Sequence, residues 1–352
     1  MKILVTGGGG FLGTWIIKEL LKNPSYMITN MSRHKYTHLE DLAVPTMQGD
    51  ITKLEDVERV LREGFDVVFH VASLVGMWGR KEVFDAINIT GTQNLLEVSK
   101  RMGVKRFIYT GSPSSVFGRG GHAGADETLP YPDVHLGHYP RTKAIAEKMV
   151  LEANSVEMKT VSLRPHLVWG PGDLNLLPRV INQARVGKLK MIGNGDNQVD
   201  VIYVEEAARA HVLAMHALEG EAVAAGRAYF LGQGPVRLWD FIEKVLKYAE
   251  IDPPQASVSL GMAQFLGWMF EKLWTILGIF SPEPPITRFV ALNMGTDHWF
   301  SHERAEKDLG WKPQITIDEG LERLFGEKKK IKLEVQSLAL SHNSTQATQS
   351  KN

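Results

Sequence analysis

The sequence predicts an α/β fold, a doubly wound parallel sheet with a smaller C-terminal lobe, and two features carry that prediction. In the first half of the 352 residues, short apolar runs alternate with amphipathic stretches of helical length, as in successive βαβ units. The first apolar run leads directly into a glycine-rich turn, residues 7–13, which opens the first amphipathic stretch. A strand, a glycine turn and a helix in this order begin many doubly wound sheets.

The elements are predicted from the period of the apolar residues. The predicted strands are residues 3–6, 27–31, 67–71, 106–110, 160–163, 200–204 and 228–231, and the predicted helices of the first half are residues 14–21, 54–61, 86–99 and 139–151. We predict that residues 1–165 form the first domain, to which the strands near 200–204 and 228–231 are added. Residues 166–326 form mainly the smaller lobe, and residues 327–352 form a basic and then polar tail that we expect to be disordered.

Composition excludes several classes of function. Lys plus Arg and Asp plus Glu both number 40, so there is no net charge to attract a nucleic acid. The absence of cysteine excludes disulfide scaffolds, thiol nucleophiles and cysteine-bound metals, and we expect no metal site. The first apolar run is too short for a secretory signal, which predicts a cytoplasmic protein.

The glycine turn has the spacing G-x-x-G-x-x-G through Gly7, Gly10 and Gly13. Such a turn needs a positive φ angle, a close approach of backbone to a pyrophosphate, and tight packing of the helix on the sheet. The helix start, with Phe11 and Leu12, offers free N–H groups to the phosphates. These five residues therefore predict a Rossmann-type dinucleotide site.

The end of the second predicted strand bears on which dinucleotide binds. NAD enzymes usually have an acidic residue about 20 residues after the glycines, whereas this chain has Ser32 and Arg33 there. Arg33 can bind a 2′-phosphate, which favours NADP(H) over NAD(H), or it can stack on the adenine. Farther along, Asp50, followed by Ile51, can accept the adenine amino group or cap the next helix.

The catalytic prediction rests on Tyr139 and Lys143. Four residues apart on a helix, their side chains share one face, and a nearby cation favours the phenolate form of tyrosine. Ser112, at the carboxyl end of the strand at 106–110, can orient a substrate carbonyl, and Ser114 is the second choice.

Together these residues resemble the extended short-chain dehydrogenase/reductase family, over about residues 1–325, and within it the 3β-hydroxysteroid dehydrogenase branch. The motifs are T-G-G-x-G-F-L-G from Thr6, G-D-I from Gly49, F-H-V-A from Phe69, N-x-x-G-T-x-N from Asn88, Tyr139 with Lys143, and R-P-H-L-V-W-G-P from Arg164. One departure is Gly111-Ser112-Pro113 in place of a Ser-Ser pair, which leaves the catalytic hydroxyl open.

The resemblance implies a role for each matching position. Tyr139 is the acid/base, Lys143 its electrostatic partner, Ser112 the group that orients the carbonyl, and Asn88 positions the lysine through water. Ala72 and Pro165 are implied to contact the cofactor.

The implied reaction interconverts a ketone and a secondary alcohol on a bulky apolar, lipid-like substrate. That substrate is a β-keto or β-hydroxy acid of the 2-alkyl-3-oxoalkanoate type, or a 3β-hydroxysteroid. The alternatives are a nucleotide-sugar epimerase or dehydratase, which shares the same scaffold, and a non-enzymatic cofactor-sensing protein.

Residues 262–280 carry an apolar stripe of nine residues at helical spacing, namely Met262, Phe265, Leu266, Met269, Phe270, Leu273, Ile276, Leu277 and Phe280. It is interpreted as a lid or packing helix of the smaller lobe, as a helix lying on a membrane surface, or as a membrane span. If its nine apolar side chains line the substrate pocket, rates should rise with substrate chain length. The partner hypotheses are therefore a lipid-like small molecule, a peripheral membrane contact through this segment, and a homodimer.

Overall fold

The computed structural model describes residues 1–118 and 120–326, so the predicted tail from residue 327 lies outside the described residues. The strands are β1 (Lys2–Thr6), β2 (Met27–Ser32), β3 (Thr46–Gln48), β4 (Val67–His70), β5 (Arg106–Thr110), β6 (His122–Ala125), β7 (Lys159–Pro165), β8 (Val168–Trp169), β9 (Met191–Ile192), β10 (Gln198–Val199), β11 (Ile202–Tyr203), β12 (Arg227–Leu231), β13 (Val236–Arg237), β14 (Ser257–Val258) and β15 (His298–Phe300). The α-helices are α1 (Phe11–Leu20), α2 (Thr37–Asp41), α3 (Leu54–Leu61), α4 (Lys81–Phe84), α5 (Gly91–Arg101), α6 (His138–Glu152), α7 (Leu176–Arg185), α8 (Val204–His216), α9 (Leu238–Tyr248), α10 (Leu260–Ile276), α11 (Arg288–Gly295) and α12 (Glu303–Leu309), and residues 317–326 are also helical.

The central sheet has seven parallel strands in the order β3-β2-β1-β4-β5-β7-β12. The chain runs outward from β1 in both directions, so the switch point lies between β1 and β4. On one face α1 and α8 pack together through Ile16, Ile17 and the alanines of α8, while α3, α5 and α6 cover the other face. The predicted doubly wound α/β class is therefore confirmed.

Several predicted elements agree closely with the structure, and two differ. The helix predicted at 86–99 is a π-helical turn, Asp85–Thr90, that continues into α5. The strand predicted at 200–204 does not join the central sheet, because Ile202–Tyr203 pairs with β8 in a separate two-stranded sheet. The position beside β7 is taken by β12, and α8 already begins at Val204, so too few residues remain for a longer strand. The strand predicted at 228–231 is β12 and does join the sheet.

The second half of the chain adds a four-stranded sheet, β13-β10-β15-β6, and a core of its own around Trp169 and Trp239. From the same half, α8 and β12 return to the central sheet. The domain boundary at 165/166 stays a prediction.

Much of the apolar stripe at 262–280 is exposed, although α10 packs against α11. Helix α10 buries Ala263 and Gly267, whereas Met262 is 51% exposed, Phe265 55% and Ile276 79%. Glycine at 267 permits a close approach, since a Cβ there would lie 2.6 Å from the backbone nitrogen of Arg288. Among the described residues no helix has both the length and the apolar character needed to cross a membrane, so the span interpretation is wrong for this part of the chain.

Candidate active site

The carboxyl edge of the central sheet brings the predicted site residues together, as expected for ligand sites in open parallel sheets. The glycine turn follows β1, Ser32 ends β2, and Ala72 lies two residues beyond β4. Ser112 follows β5, and Pro165 ends β7. Arg33 and Asp50 lie at the outer end of the same edge, beyond β2 and β3.

The glycine turn has the conformation and the contacts that a dinucleotide site needs. Gly7 has a φ of +73°, and a Cβ there would lie 2.7 Å from the backbone nitrogen of Ala72. A Cβ on Gly13 would collide with the Gly7 carbonyl. Gly10 is the N-cap of α1 and no side chain caps this helix, so the N–H groups at its start remain for an anionic ligand. The turn therefore fits a pyrophosphate.

Asn30 is a residue of this site that sequence reasoning missed. Its buried side chain accepts a hydrogen bond from the Gly8 backbone at 2.9 Å and donates to the Ser32 hydroxyl at 2.9 Å. It thereby fixes the glycine turn against the end of β2. The available signal was a single amide within an apolar strand, since a buried amide requires hydrogen-bond partners.

The segment after β2 lies alongside the glycine turn. The Tyr36 ring fills the space where a Cβ on Gly9 would stand, and the side chains of His38 and Thr14 hydrogen-bond at 3.1 Å. Arg33 is exposed, its carbonyl accepts from Gln48 at 3.3 Å, and in the described part of the chain no carboxylate forms an ion pair with its guanidinium. A cation beside the glycine turn is thus free to bind a phosphate.

Asp50 closes a turn before α3 and does not cap the helix, whose N-cap is Lys53. Its carboxylate accepts from the backbone and the hydroxyl of Thr52, at 2.9 and 2.8 Å. Ile51 packs against Gly91, where a Cβ would lie 2.7 Å from its side chain. The capping alternative for Asp50 is therefore wrong, while the adenine contact stays a prediction.

Ser112 and Tyr139 form the centre of the candidate catalytic site. The Ser112 hydroxyl accepts from the backbone and the hydroxyl of Ser114, at 3.2 and 2.8 Å. Burial raises the pKa of Tyr139, and the nearby Ser112 hydroxyl opposes that rise. This geometry favours Ser112 over Ser114 as the catalytic hydroxyl, because Ser112 faces the phenol.

Lys143 is buried one helical turn after Tyr139, at 2% exposure. Its ammonium donates to the Thr110 carbonyl at 2.5 Å and lies 4.2 Å from the centre of the Tyr109 ring. Burial lowers the pKa of Lys143 to about 7, and the Glu147 carboxylate acts in the opposite direction. Lys143 is therefore held at the end of β5, behind Ser112.

Glu147, one further turn along α6, is a second residue that sequence reasoning missed. The carboxylate is fully buried and accepts from Arg164 at 2.6 to 3.1 Å, from Ser162 at 2.7 Å and from Tyr131 at 2.8 Å. Burial raises its pKa, but Arg164 and these hydrogen bonds prevail and hold it below the usual value. The Glu147 carboxylate raises the pKa of Lys143, and its spacing of four residues from Lys143 was the available signal.

Asn88, in the π-helical turn, holds the loop after β4. Its amide oxygen accepts from the Leu74 backbone at 2.7 Å and from Ser73 at 3.2 Å, while its amide nitrogen donates to the Leu74 carbonyl at 3.1 Å and to Thr142 at 3.0 Å. All its side-chain bonding capacity is therefore used. The implied link from Asn88 to Lys143 through water stays a prediction, and the contact seen here runs to Thr142, the residue before Lys143.

Buried polar groups connect β1 with Asn88. The Thr92 hydroxyl donates to the Asn88 carbonyl at 2.7 Å and therefore accepts from His70 Nε2 at 2.9 Å. His70 Nδ1 then accepts from the Thr6 hydroxyl at 2.8 Å. Burial, with a smaller effect of Lys143, lowers the pKa of His70 to about 3, so this imidazole stays neutral.

A cavity of about 530 Å³ opens beside the catalytic helix. Leu74, Trp78, Val83, Phe84 and Phe280 provide most of its apolar wall. Asn88 holds Leu74, and the Phe84 ring lies 5.9 Å from the ring of His138, the residue before Tyr139. Of the nine stripe residues at 262–280, only Phe280 lines the cavity, so the prediction that the whole stripe lines the pocket is wrong.

The amino-acid sequence is similar to a family model and to several known enzymes. A model of the 3-beta hydroxysteroid dehydrogenase/isomerase family matches residues 4–260. A 2-alkyl-3-oxoalkanoate reductase of Stenotrophomonas maltophilia is 40% identical over 331 residues, 92% of this chain and 98% of the relative. The sterol-4-alpha-carboxylate 3-dehydrogenase, decarboxylating, of Mus musculus is 33% identical over 327 residues, 92% of this chain and 89% of the relative.

Among solved structures, the UDP-glucuronic acid 4-epimerase of Bacillus cereus in complex with NAD has a similar fold. It matches with a TM-score of 0.73 and 22% identity, over 94% of this chain and 99% of the epimerase. At this identity the likeness shows the fold alone.

Proposed function

The chain belongs to the 3-beta hydroxysteroid dehydrogenase/isomerase family and is an NAD(P)-dependent oxidoreductase, and from this premise we propose that it interconverts a ketone and a secondary alcohol on a bulky apolar substrate. The observation that carries the proposal is the cavity lined by Phe84, whose ring lies 5.9 Å from the ring of His138, the residue before Tyr139. We propose a β-keto or β-hydroxy acid of the 2-alkyl-3-oxoalkanoate type as substrate, with a 3β-hydroxysteroid as the second candidate.

The names of two relatives support the acid. A 2-alkyl-3-oxoalkanoate has its ketone two carbons from the carboxylate carbon, and a sterol 4-carboxylate oxidised at position 3 has the same relation. Both names therefore describe a reacting carbon that is β to a carboxylate and carries a large hydrocarbon. A cavity of about 530 Å³ with an apolar wall is of the size that encloses such molecules.

The proposed mechanism assigns one task to each residue. The glycine turn would hold the pyrophosphate, and NAD(P)H, when bound, would supply the hydride that reduces the carbonyl carbon. Ser112 donates a hydrogen bond to the carbonyl oxygen and orients it. Tyr139 delivers the proton to that oxygen during reduction and accepts it back in the reverse direction. Lys143 contributes the positive charge that favours the phenolate.

For the cofactor we propose NADP(H) in preference to NAD(H). The support is the free, exposed guanidinium of Arg33 and the absence of an acidic residue at the end of β2. A planar guanidinium suits a 2′-phosphate, whereas the ribose hydroxyl of NAD(H) needs an acceptor.

The test follows consumption of NADPH and NADH with a series of 2-alkyl-3-oxoalkanoates, a 3-oxosteroid and UDP-glucose. We expect reduction of the β-keto acids, with kcat/KM rising roughly threefold to fourfold per added methylene until the cavity is full. The control is Tyr139→Phe, which should be inactive on the same series. Turnover of UDP-glucose without net cofactor consumption, and no turnover of the acids, would establish the epimerase alternative.

A further inference from the structure

Helix α10 presents its large apolar side chains to solvent. This outward surface, the α10 ridge, comprises Met262, Phe265, Trp268, Met269, Leu273 and Ile276, each at least 37% exposed. Single exposed apolar residues are ordinary on soluble proteins. Six of them within one 17-residue helix form a contiguous patch of the kind that marks a binding surface.

The inward face of α10 explains why the ridge points outward. A Cβ on Gly267 would lie 2.6 Å from the Arg288 nitrogen, and Ala263 packs with Ile192 and Ala291. At positions 263 and 267 the contact of α10 with the chain at the start of α11 is narrow enough to admit only small residues. Rotation of the helix to bury the ridge would place aromatic rings in this narrow contact, so the exposure is imposed by the packing.

The ridge continues to the mouth of the substrate cavity. Phe280, just after α10, lines the cavity, and the Trp78 indole donates to the Ile279 carbonyl at 2.8 Å. Across the mouth, Val75 and Val83 line the cavity and are also exposed. Apolar residues therefore border the opening on both sides.

The charged side chains around the ridge and the mouth carry a small excess of positive charge. Glu271 is neutralised by Arg288 at 2.7 Å, which leaves Lys272 as the exposed charge of α10. The Arg80 guanidinium lies 5.3 Å from the centre of the Phe280 ring. The cations around this surface are Arg80, Lys81, Arg141, Arg179, Lys272 and Arg288, and the carboxylates are Glu82, Asp85, Glu271 and Glu283. The cations outnumber the carboxylates.

We propose that the α10 ridge docks on an anionic lipid surface, with the cavity mouth facing the lipid. An amphipathic helix with Phe and Trp on one side and flanking cations binds at the boundary between headgroups and acyl chains. A second copy of the chain on the ridge would cover the cavity mouth, whereas a lipid surface would give an apolar substrate a direct route into it. An anionic lipid surface therefore fits both the excess of cations around the ridge and the position of the cavity mouth beside it.

The test measures binding of the full chain to vesicles by flotation, with phosphatidylcholine alone and with phosphatidylcholine containing phosphatidylglycerol. We expect binding to the anionic vesicles and at least a tenfold loss in the variant Phe265→Ser/Met269→Ser. The matched control is Met27→Ser/Val156→Ser, which removes two exposed apolar residues near the amino ends of β2 and β7, the opposite edge of the sheet. This control should bind as the wild type does.

Two further measurements decide whether a lipid surface or a second copy of the chain covers the α10 ridge. Lys272→Glu should weaken binding to anionic vesicles severalfold, because it reverses a charge at the lipid surface. Light scattering of the chain alone reports its oligomeric state. A wild-type dimer that does not float with vesicles, and that becomes a monomer in Phe265→Ser/Met269→Ser, would overturn the proposal in favour of a second copy. Absence of vesicle binding by a monomer would also overturn it. Neither readout requires turnover, so these results are separate from those on the proposed reaction.

Discussion

Helices α6 and α10 depart from ordinary burial in opposite directions. Helix α6 buries the charged side chains of Lys143 and Glu147, whereas α10 exposes Phe265 and Trp268. On α6 the buried charges are compensated, since Glu147 is held by Arg164 and Lys143 by the Thr110 carbonyl. On α10 the exposed apolar residues have no such compensation among the described residues.

The comparison shows that the two departures have different consequences for stability. A buried charge costs several kcal/mol unless it is paired and hydrogen-bonded, so the α6 network must be complete. An exposed apolar residue costs little in the isolated chain and gains free energy only when something covers it. Damage to the buried charges of α6 should therefore affect folding and catalysis, while damage to the α10 ridge should affect association only.

The largest expected effect is at the start of α6. Tyr139→Phe removes the ionisable hydroxyl and keeps the ring, so the fold and cofactor binding should persist. We expect kcat to fall by roughly 10² to 10⁴, as is typical of a lost acid/base group. Steady-state kinetics with the best β-keto acid measure this. Tyr26→Phe, on a partly buried tyrosine far along the chain from α6, is the control and should keep its activity. A loss of only a few-fold in Tyr139→Phe would remove this phenol from the mechanism.

The next effect concerns the buried carboxylate of α6. Glu147→Gln leaves the Arg164 guanidinium without its anion, and the free energy of unfolding should fall by about 3–5 kcal/mol, measured by denaturant titration. The same change removes the charge that raises the pKa of Lys143. That pKa, about 7 in the wild type, should fall further. If activity requires the protonated lysine, the alkaline decline of kcat should move to lower pH.

Ser162→Ala is the control for this variant. It removes one hydrogen bond to Glu147 and leaves the charge, so the unfolding free energy should fall by about 1 kcal/mol. The pH profile should not move. A profile that shifts equally in both variants would show that Glu147 acts only through packing.

The predictable parts of the fold are those that one segment determines by itself. The apolar run at 106–110 coincides with β5, and the glycine spacing at 7–13 locates the turn, because local pattern and local geometry suffice there. Whether a strand joins a sheet depends on the rest of the chain. Residues 200–204 have the pattern of a strand, but β12 occupies the edge beside β7.

The same distinction applies to the site. The positions of Tyr139, Lys143 and Ser112 follow from spacing and from the ends of strands. The partners of Asn30 and Glu147 come from distant strands, so only the folded chain shows them. For α10, periodicity showed that one face is apolar but not which face is covered. The narrow contact at Gly267 decides that point.

Arg33 carries a charge that is neither buried nor paired. The effect expected from its removal is smaller than the effects at α6 and larger than that of the ridge substitutions on α10. Arg33→Ala should weaken NADPH binding by about 1.5–3 kcal/mol, as for a lost charge-assisted hydrogen bond, and should change NADH binding far less. Calorimetric titration of the two cofactors measures both affinities. Arg62→Ala, an exposed arginine at the end of α3, is the matched control. Equal losses for the two cofactors would indicate that Arg33 stacks on the adenine.

The smallest expected effect is on α10. Phe265→Ser/Met269→Ser should change the free energy of unfolding by no more than about 0.5 kcal/mol per site, because exposed side chains with few contacts contribute little to folding. Gly267→Ala, on the opposite face of the same helix, is the contrast. Its Cβ would meet the backbone of Thr287 and Arg288, and we expect a loss of about 1–3 kcal/mol. Denaturant titration of the three proteins measures both effects. A large loss in the serine variant would mean that the ridge packs against this chain in solution, and the contrast between α6 and α10 would then not hold.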